Sequence, residues 1–355
     1  MLKKLNPKRI AGRKGVLKET LQIEKINFNA FHRNIVTASN GQDSFGVCIN
    51  CDDKPCINYS EEEINPKIID CITFNNDRRV CPVRAIEVNT EGFPSITDDC
   101  IGCGLCVNRC KYGAINLSLK DNTAVIHIEE TMLIAYRTNR TINERKALVS
   151  AFIDAKKSNS TESLPKENSI KFYSQLKKAY KGRPDLELII VRNFLINCGI
   201  DVKVTAQGNN DNRLDLLGKV GSYFIIGEVE LKGNDILGLP RRALEDIAIT
   251  QSRFGIEAEK QIPILIFLEF PNKRSDIYEV ITDISKVLGI QIKTIPFHFL
   301  YVSNMLDIRI EKKLLVESFY IDKDNPSFST YAREAIPDLE NIDSMFNSSL
   351  YTFSK

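Results

Sequence analysis

Four cysteines, Cys100, Cys103, Cys106 and Cys110, are packed into one short stretch with the spacing C-x2-C-x2-C-x3-C. Thiolates are soft ligands, and several converging from a turning backbone suit a compact iron–sulfur cluster. Gly102 and Gly104 let the chain bend tightly around such a body. Zinc is the competing cation, but structural zinc sites usually take two separated cysteine or histidine pairs rather than four ligands in one run. Disulfides fit poorly, because bridges between cysteines this close would be strained or mispaired.

The pattern recurs upstream. Cys81-Pro-Val-Arg-Ala85-Ile86 matches Cys110-Lys-Tyr-Gly-Ala114-Ile115 in its cysteine and its Ala-Ile pair, a short internal repeat. Ahead of it stand Cys48, Cys51 and Cys56, spaced C-x2-C-x4-C. From Cys48 to Ile115 the chain resembles a two-cluster bacterial-type ferredoxin, and its opening spacing is similar to that of electron-transfer subunits of molybdenum oxidoreductases. In such modules the fourth cysteine of each motif ligates the other cluster. The resemblance therefore implies two [4Fe–4S] clusters, one on Cys48, Cys51, Cys56 and Cys110 and one on Cys81, Cys100, Cys103 and Cys106. Two departures stand out. An insertion containing Cys71 separates Cys56 from Cys81, so Cys71 competes with Cys56 as a ligand, with Cys56 the better fit to the spacing. Lys111 replaces the proline that usually follows the fourth cysteine. Its N–H and its charge both favour the reduced cluster and imply a somewhat higher potential.

A second constellation lies further along. Tyr223-Phe-Ile-Ile-Gly is apolar and then turns charged at Glu228-Val-Glu230-Leu-Lys232. Strand alternation puts Glu228, Glu230 and Lys232 on one face. Asp215 sits among Leu214, Leu216 and Leu217 on the preceding strand. A buried carboxylate is expensive without a partner, so these acids call for a cation or a lysine. Divalent metals such as Mg²⁺ take hard oxygen ligands and keep open positions for water and phosphate. Residues 184–302 resemble the PD-(D/E)XK, restriction-endonuclease-like superfamily, with Asp215 and Glu230-x-Lys232 as its motif. The resemblance implies a Mg²⁺- (or Mn²⁺-) dependent endonuclease in which Asp215 and Glu230 bind metal and Lys232 orients or activates water. Glu187 would be the auxiliary acid of the first helix and Gln251 the glutamine of the following one, with Glu228 either a third ligand or a partner of Lys232 or Arg213. The motif itself is common: an acid two before a lysine also occurs at Asp52, Glu144, Asp154, Asp201 and Glu311. The bland alternative is a strand end with a solvated charged face.

These sites need elements to position them. Asn116–Leu119 and Ala124–Ile128 read as a hairpin around Asp121-Asn122, and Thr141-Ile-Asn-Glu144 as a capping box opening a helix to about Ala155. The polar residues 157–169 read as a linker. Then follow a helix from Pro184 to Gly199, strands at 200–205, 213–217 and 223–232, a helix at 240–254, a buried strand at 264–268, a helix at 275–288 and a strand at 290–295. The expected architecture is a multidomain α+β / α/β chain: a basic segment (1–44), a ferredoxin-like module (45–130), a helical connector with a polar linker (131–183), a restriction-endonuclease-like mixed sheet flanked by helices (184–305) and a C-terminal extension (306–355).

Composition bounds the rest. The 355 residues carry 48 Lys+Arg against 46 Asp+Glu, so net charge argues neither for nor against nucleic acid, although residues 1–20 form a locally basic arm. Nine of the ten cysteines lie between Cys48 and Cys110, which is cluster usage and implies a reducing, cytoplasmic setting. No apolar run is long enough for a membrane span. His32, His127, His298 and Cys198 read as structural. Three functions compete: a nuclease acting on nucleic acid, DNA foremost, within a repair or defence system; an electron-transfer protein whose C-terminal part docks a redox partner or other subunits; and a redox-responsive nucleic-acid binder that does not cut.

Overall fold

The computed structural model describes residues 31–32, 35–36, 46–69, 72–118, 121–148, 162–163, 166–180, 183, 185–206, 214–233, 235–268, 270–271, 275–305, 307–321 and 328–335. The basic arm, Cys71 and the residues after 335 lie outside them. In chain order the elements are β1 (Phe31–His32), β2 (Ile35–Val36), α1 (Glu61–Ile64), β3 (Ile86–Val88), β4 (Pro94–Ile96), α2 (Leu105–Arg109), β5 (Ile115–Ser118), β6 (Ala124–Ile126), α3 (Glu130–Arg137) and α4 (142–148). There follow β7 (Glu162–Ser163), α5 (Lys166–Ala179), α6 (Leu186–Asn197), β8 (Asp201–Val204), β9 (Leu216–Val220), β10 (Tyr223–Glu230), α7 (Leu239–Phe254), β11 (Gln261–Phe267), α8 (Ile277–Leu288), β12 (Lys293–Pro296), α9 (Phe297–Met305), α10 (Lys312–Glu317) and α11 (Phe328–Ala335).

The cysteine-rich half is built on the repeat. Each copy turns from its cysteine into a short antiparallel hairpin, β3–β4 after Cys81 and β5–β6 after Cys110. The backbone repeats as well. Arg84 and Gly113, each three residues beyond its cysteine, both take a left-handed conformation (φ 63° and 60°). Glycine accepts that φ freely, whereas Arg84 is held there by its surroundings. The Thr141–Glu144 capping box is present, with the Thr141 N–H donating to Glu144 Oε2 at 2.7 Å and the Glu144 N–H to Thr141 Oγ1 at 3.3 Å.

The C-terminal half is a five-stranded sheet in the order β12-β11-β10-β9-β8. β8, β9 and β10 form an antiparallel meander, and β11 and β12 are added parallel. All seven residues of β11 are buried, as expected for a strand with both faces covered. The sequence places a turn at Gly218–Gly221, but β9 runs through Gly218 and turns only at Gly221. A Cβ on Gly218 would lie 2.7 Å from Val202 Cγ1, so the glycine serves close strand packing. The expected linker also changes character: residues 166–169 open α5, whose Phe172 stacks on Tyr301 at 4.5 Å between ring centroids. Residues 297–305 are a wholly buried helix.

The two halves share one core. A single cluster of buried side chains runs from Tyr59, Val80, Leu105 and Val107 to Phe194, Phe267 and Tyr301. The insertion between Cys56 and Cys81 extends the sheet: Phe74 bridges Thr205, Asn75 N–H donates to Val204 O at 2.8 Å, and Ala206 N–H to Thr73 O at 3.2 Å. Arg192 of α6, 0% exposed, donates to the carbonyl of Asp77 at 2.7 Å, while Asn193 donates to the carbonyls of Arg79 and Val80, both at 3.0 Å. No helix among the described residues is long and apolar enough to cross a membrane.

Candidate functional site

Eight cysteines line two neighbouring voids. Cys81, Cys100, Cys103 and Cys106 line one, walled by Ile86, Ile96, Leu117 and Ala124. Cys48, Cys51, Cys56 and Cys110 line the other, beside Lys54, Lys111 and Tyr112. Each four-cysteine group thus draws three cysteines from one run and its fourth from the other.

Backbone N–H groups are aimed at the sulfurs. Ala85 N–H donates to Cys81 Sγ at 3.1 Å and Ala114 N–H to Cys110 Sγ at 3.2 Å, the same bond in both copies of the repeat. Ala124 N–H donates to Cys100 Sγ at 3.3 Å. Burial and the proximity of the other thiols push Cys48 and Cys51 up to about 11 and Cys56 up to about 12. Burial likewise raises Cys81 to about 11, and Cys103 and Cys106 lie well above the ordinary thiol range. A metal centre bound among them would supply the positive charge that such buried thiols need to ionise. Among the described residues no three His, Cys, Asp or Glu side chains are grouped around a point as a single metal ion would need. Four sulfurs spread around a void fit an iron–sulfur cluster better than one zinc ion.

The acids of the second constellation are already engaged. Asp215, at the bend before β9, accepts the Val229 N–H on Oδ2 at 2.9 Å. Burial, then the Glu228 charge, push its carboxyl up to about 7. Glu228, 2% exposed, accepts from Arg242 Nε at 2.7 Å and shares a hydrogen bond with Asp246. Burial and Asp246 raise it to about 8, and burial raises Asp246 to about 6. Glu187 of α6 accepts the Leu231 N–H on Oε1 and pairs with Lys232 through Oε2 at 2.8 Å. Glu230 is half-buried at the end of β10. Gln251 is exposed in the last turn of α7, two turns beyond Arg242 and off this cluster. The helix instead brings Arg242 and Asp246, spaced i,i+4, to Glu228. The sequence signal for them was an acid on the apolar stripe Leu239, Ala243, Ile247, Thr250.

His298 is buried, pushed down to about 3 by burial, with its Nδ1 2.8 Å from the Tyr173 hydroxyl. Cys198 is buried at the end of α6.

The raised carboxyls have a measurable consequence. Their folded-state values exceed the ordinary carboxyl value near 4, so the folded chain holds protons that the unfolded chain releases. The stability that these three groups contribute is full below about pH 4 and is lost as pH rises through about 6 to 8. Glu228→Gln keeps a donor to Asp246 and should flatten that slope, gaining ~1–3 kcal/mol at pH 8.5 relative to pH 6. Denaturant titrations at both pH values check this; parallel curves for wild type and variant would refute it.

Residues 94–116 match the 4Fe-4S binding domain family. Over 73 residues the chain is 30% identical to the iron–sulfur subunit of an arsenate respiratory reductase from Shewanella sp. (strain ANA-3), covering 20% of this chain and 22% of that protein. Over 39 residues it is 51% identical to an uncharacterised ferredoxin of Methanocaldococcus jannaschii, covering 11% of this chain and 23% of that one. The chain spans less than a quarter of the length of either curated relative. No solved structure matches it. Residues 94–116 are therefore a ferredoxin-type [4Fe–4S]-binding domain.

Proposed function

We propose that the protein is an iron–sulfur electron-transfer protein carrying two [4Fe–4S] clusters, whose C-terminal half serves as a docking body. The observation that carries this reading is the grouping of eight cysteines into two adjoining sets of four, each with N–H···S bonds. Bound there, the clusters would supply one-electron transfer. The chain's own part is to hold the sulfurs, aim amides at them and wall the Cys81, Cys100, Cys103 and Cys106 void with apolar side chains. The relative that is a subunit of a reductase supports a partner that is another redox subunit. Anaerobic protein titrated with dithionite should bleach reversibly in its thiolate-to-iron absorption, and it should contain about eight irons. Zinc in place of iron, or irreversible bleaching, would overturn the reading.

A second reading, a metal-dependent nuclease of the PD-(D/E)XK type acting on DNA, is favoured by one observation. The order α6-β8-β9-β10-α7-β11, an antiparallel meander with one strand added parallel, is the order that superfamily implies, with Asp215, Glu187 and Lys232 at one end of it. Against it, Lys232 is tied to Glu187, and Glu228 to Arg242 and Asp246. In this reading Asp215 and Glu230 would bind Mg²⁺ or Mn²⁺. An anaerobic cleavage assay with either metal across single- and double-stranded DNA and RNA tests it. On the electron-transfer reading no cutting occurs. Cutting that Asp215→Ala and Glu230→Ala each abolish would reverse the ranking.

A further inference from the structure

Both cysteine-bearing loops are hydrogen-bonded to the C-terminal half through one chain of side chains. Tyr59, three residues after Cys56, donates its hydroxyl to Asn197 Oδ1 of α6 at 3.0 Å and to the Asn193 carbonyl at 3.2 Å. Asn197 Nδ2 donates to the Leu105 carbonyl at 3.2 Å and to Asn304 Oδ1 of α9 at 3.0 Å. Asn304 Nδ2 reaches the Cys103 carbonyl at 3.4 Å, the longest link. Asn108 of α2 closes the ring on the Asn304 carbonyl and on Oδ1 at 3.1 Å. Asn304 is buried, and the next residue, Met305, presses on the cysteine loop: a Cβ on Gly104 would lie 2.6 Å from its Sδ.

These bonds fall on the two peptides that flank the one whose N–H faces the Cys103 sulfur. The Cys103 carbonyl belongs to the same peptide as the Gly104 N–H, and the Leu105 carbonyl to the same peptide as the Cys106 N–H. The Leu105 N–H itself faces the Cys103 sulfur. The peptide that carries the Leu105 N–H therefore lies between the two peptides that the asparagines hold, which fixes the direction of that N–H, and cluster potentials respond to hydrogen bonds, nearby charge and exposure.

We propose that Asn197 and Asn304 are positioning residues for the Cys81, Cys100, Cys103 and Cys106 site, so that α6 and α9 of the C-terminal half help set the potential of that one cluster. This rests on the two-cluster reading. Structural anchoring alone would change stability when the asparagines are replaced; positioning also changes a potential.

The test is an anaerobic, EPR-monitored redox titration of the full chain. Asn304→Asp keeps the size and both acceptor contacts but loses the donor to Cys103 and adds negative charge. It should lower one midpoint and leave the other within error. The moving midpoint should be the one missing from Cys103→Ser protein. Asn197→Leu, which removes the donor to Leu105 without adding charge, should move the same midpoint by a smaller amount. It also supplies the readout if the aspartate variant fails to fold. Val287→Ser, at a side chain 79% exposed on α8, should move neither. Two midpoints that stay put, or that move together, in the asparagine variants would overturn the inference. A wild type with about four irons would instead remove the two-cluster reading, and this inference with it.

Discussion

Replacing Cys103 by serine should remove about four of about eight irons and leave the other cluster with its own spectrum, since each site takes four sulfurs and serine offers a harder, rarely ionised oxygen. Cys103 is buried and lines one void with Cys81, Cys100 and Cys106, the last on the first turn of α2. Cys56→Ser should remove the complementary four, because Cys56 lines the other void with Cys48, Cys51 and Cys110. Cys71→Ser should remove none. Iron and acid-labile sulfide are counted on anaerobic protein. Full iron in Cys56→Ser with loss in Cys71→Ser would reassign that ligand.

A fragment beginning at Lys166 should fail to unfold cooperatively. It retains α5 and the whole sheet, yet it strips away Tyr59, Val80, Leu105 and Val107 from the core they share with Phe194 and Tyr301. Each such side chain contributes ~1.5–3 kcal/mol by burial, so losing several is comparable to the whole stability of a typical domain. The fragment also deprives Arg192 and Asn193 of the carbonyls of Asp77, Arg79 and Val80. Differential scanning calorimetry decides it: a sharp transition near that of the full chain would show that the sheet stands alone.

What could be read from the sequence was what is local. Cysteine spacing and the Cys-x3-Ala-Ile repeat lead directly to two loops of the same shape, down to the matching N–H···S bonds at Ala85 and Ala114. The order of helices and strands in the C-terminal half follows from period and from glycine stops. The strand limits at Gly218 did not, because whether glycine turns or packs depends on Val202 across the sheet. The company of Glu228 was hidden for the same reason. Alternation gives the face of β10 on which it stands, but only tertiary packing decides that Arg242 and Asp246, rather than Gln251, lie over it. The joint between the halves was the least legible part. Arg192-Asn193 breaks the apolar run of α6, and those two residues are the ones that grip the cysteine-rich half.

The insertion between Cys56 and Cys81 looks from the sequence like a blemish in a ferredoxin motif. Residues 73–75 lie along the outer side of β8, where the sheet would otherwise end in unpaired backbone groups, and Phe74 packs with Ile72, Leu214, Leu217 and Ile226. An open strand margin of that kind is a template for pairing with another chain. Trimming the insertion to recover a conventional ferredoxin spacing would therefore leave a protein that sticks to itself, with the defect surfacing as turbidity rather than as lost iron.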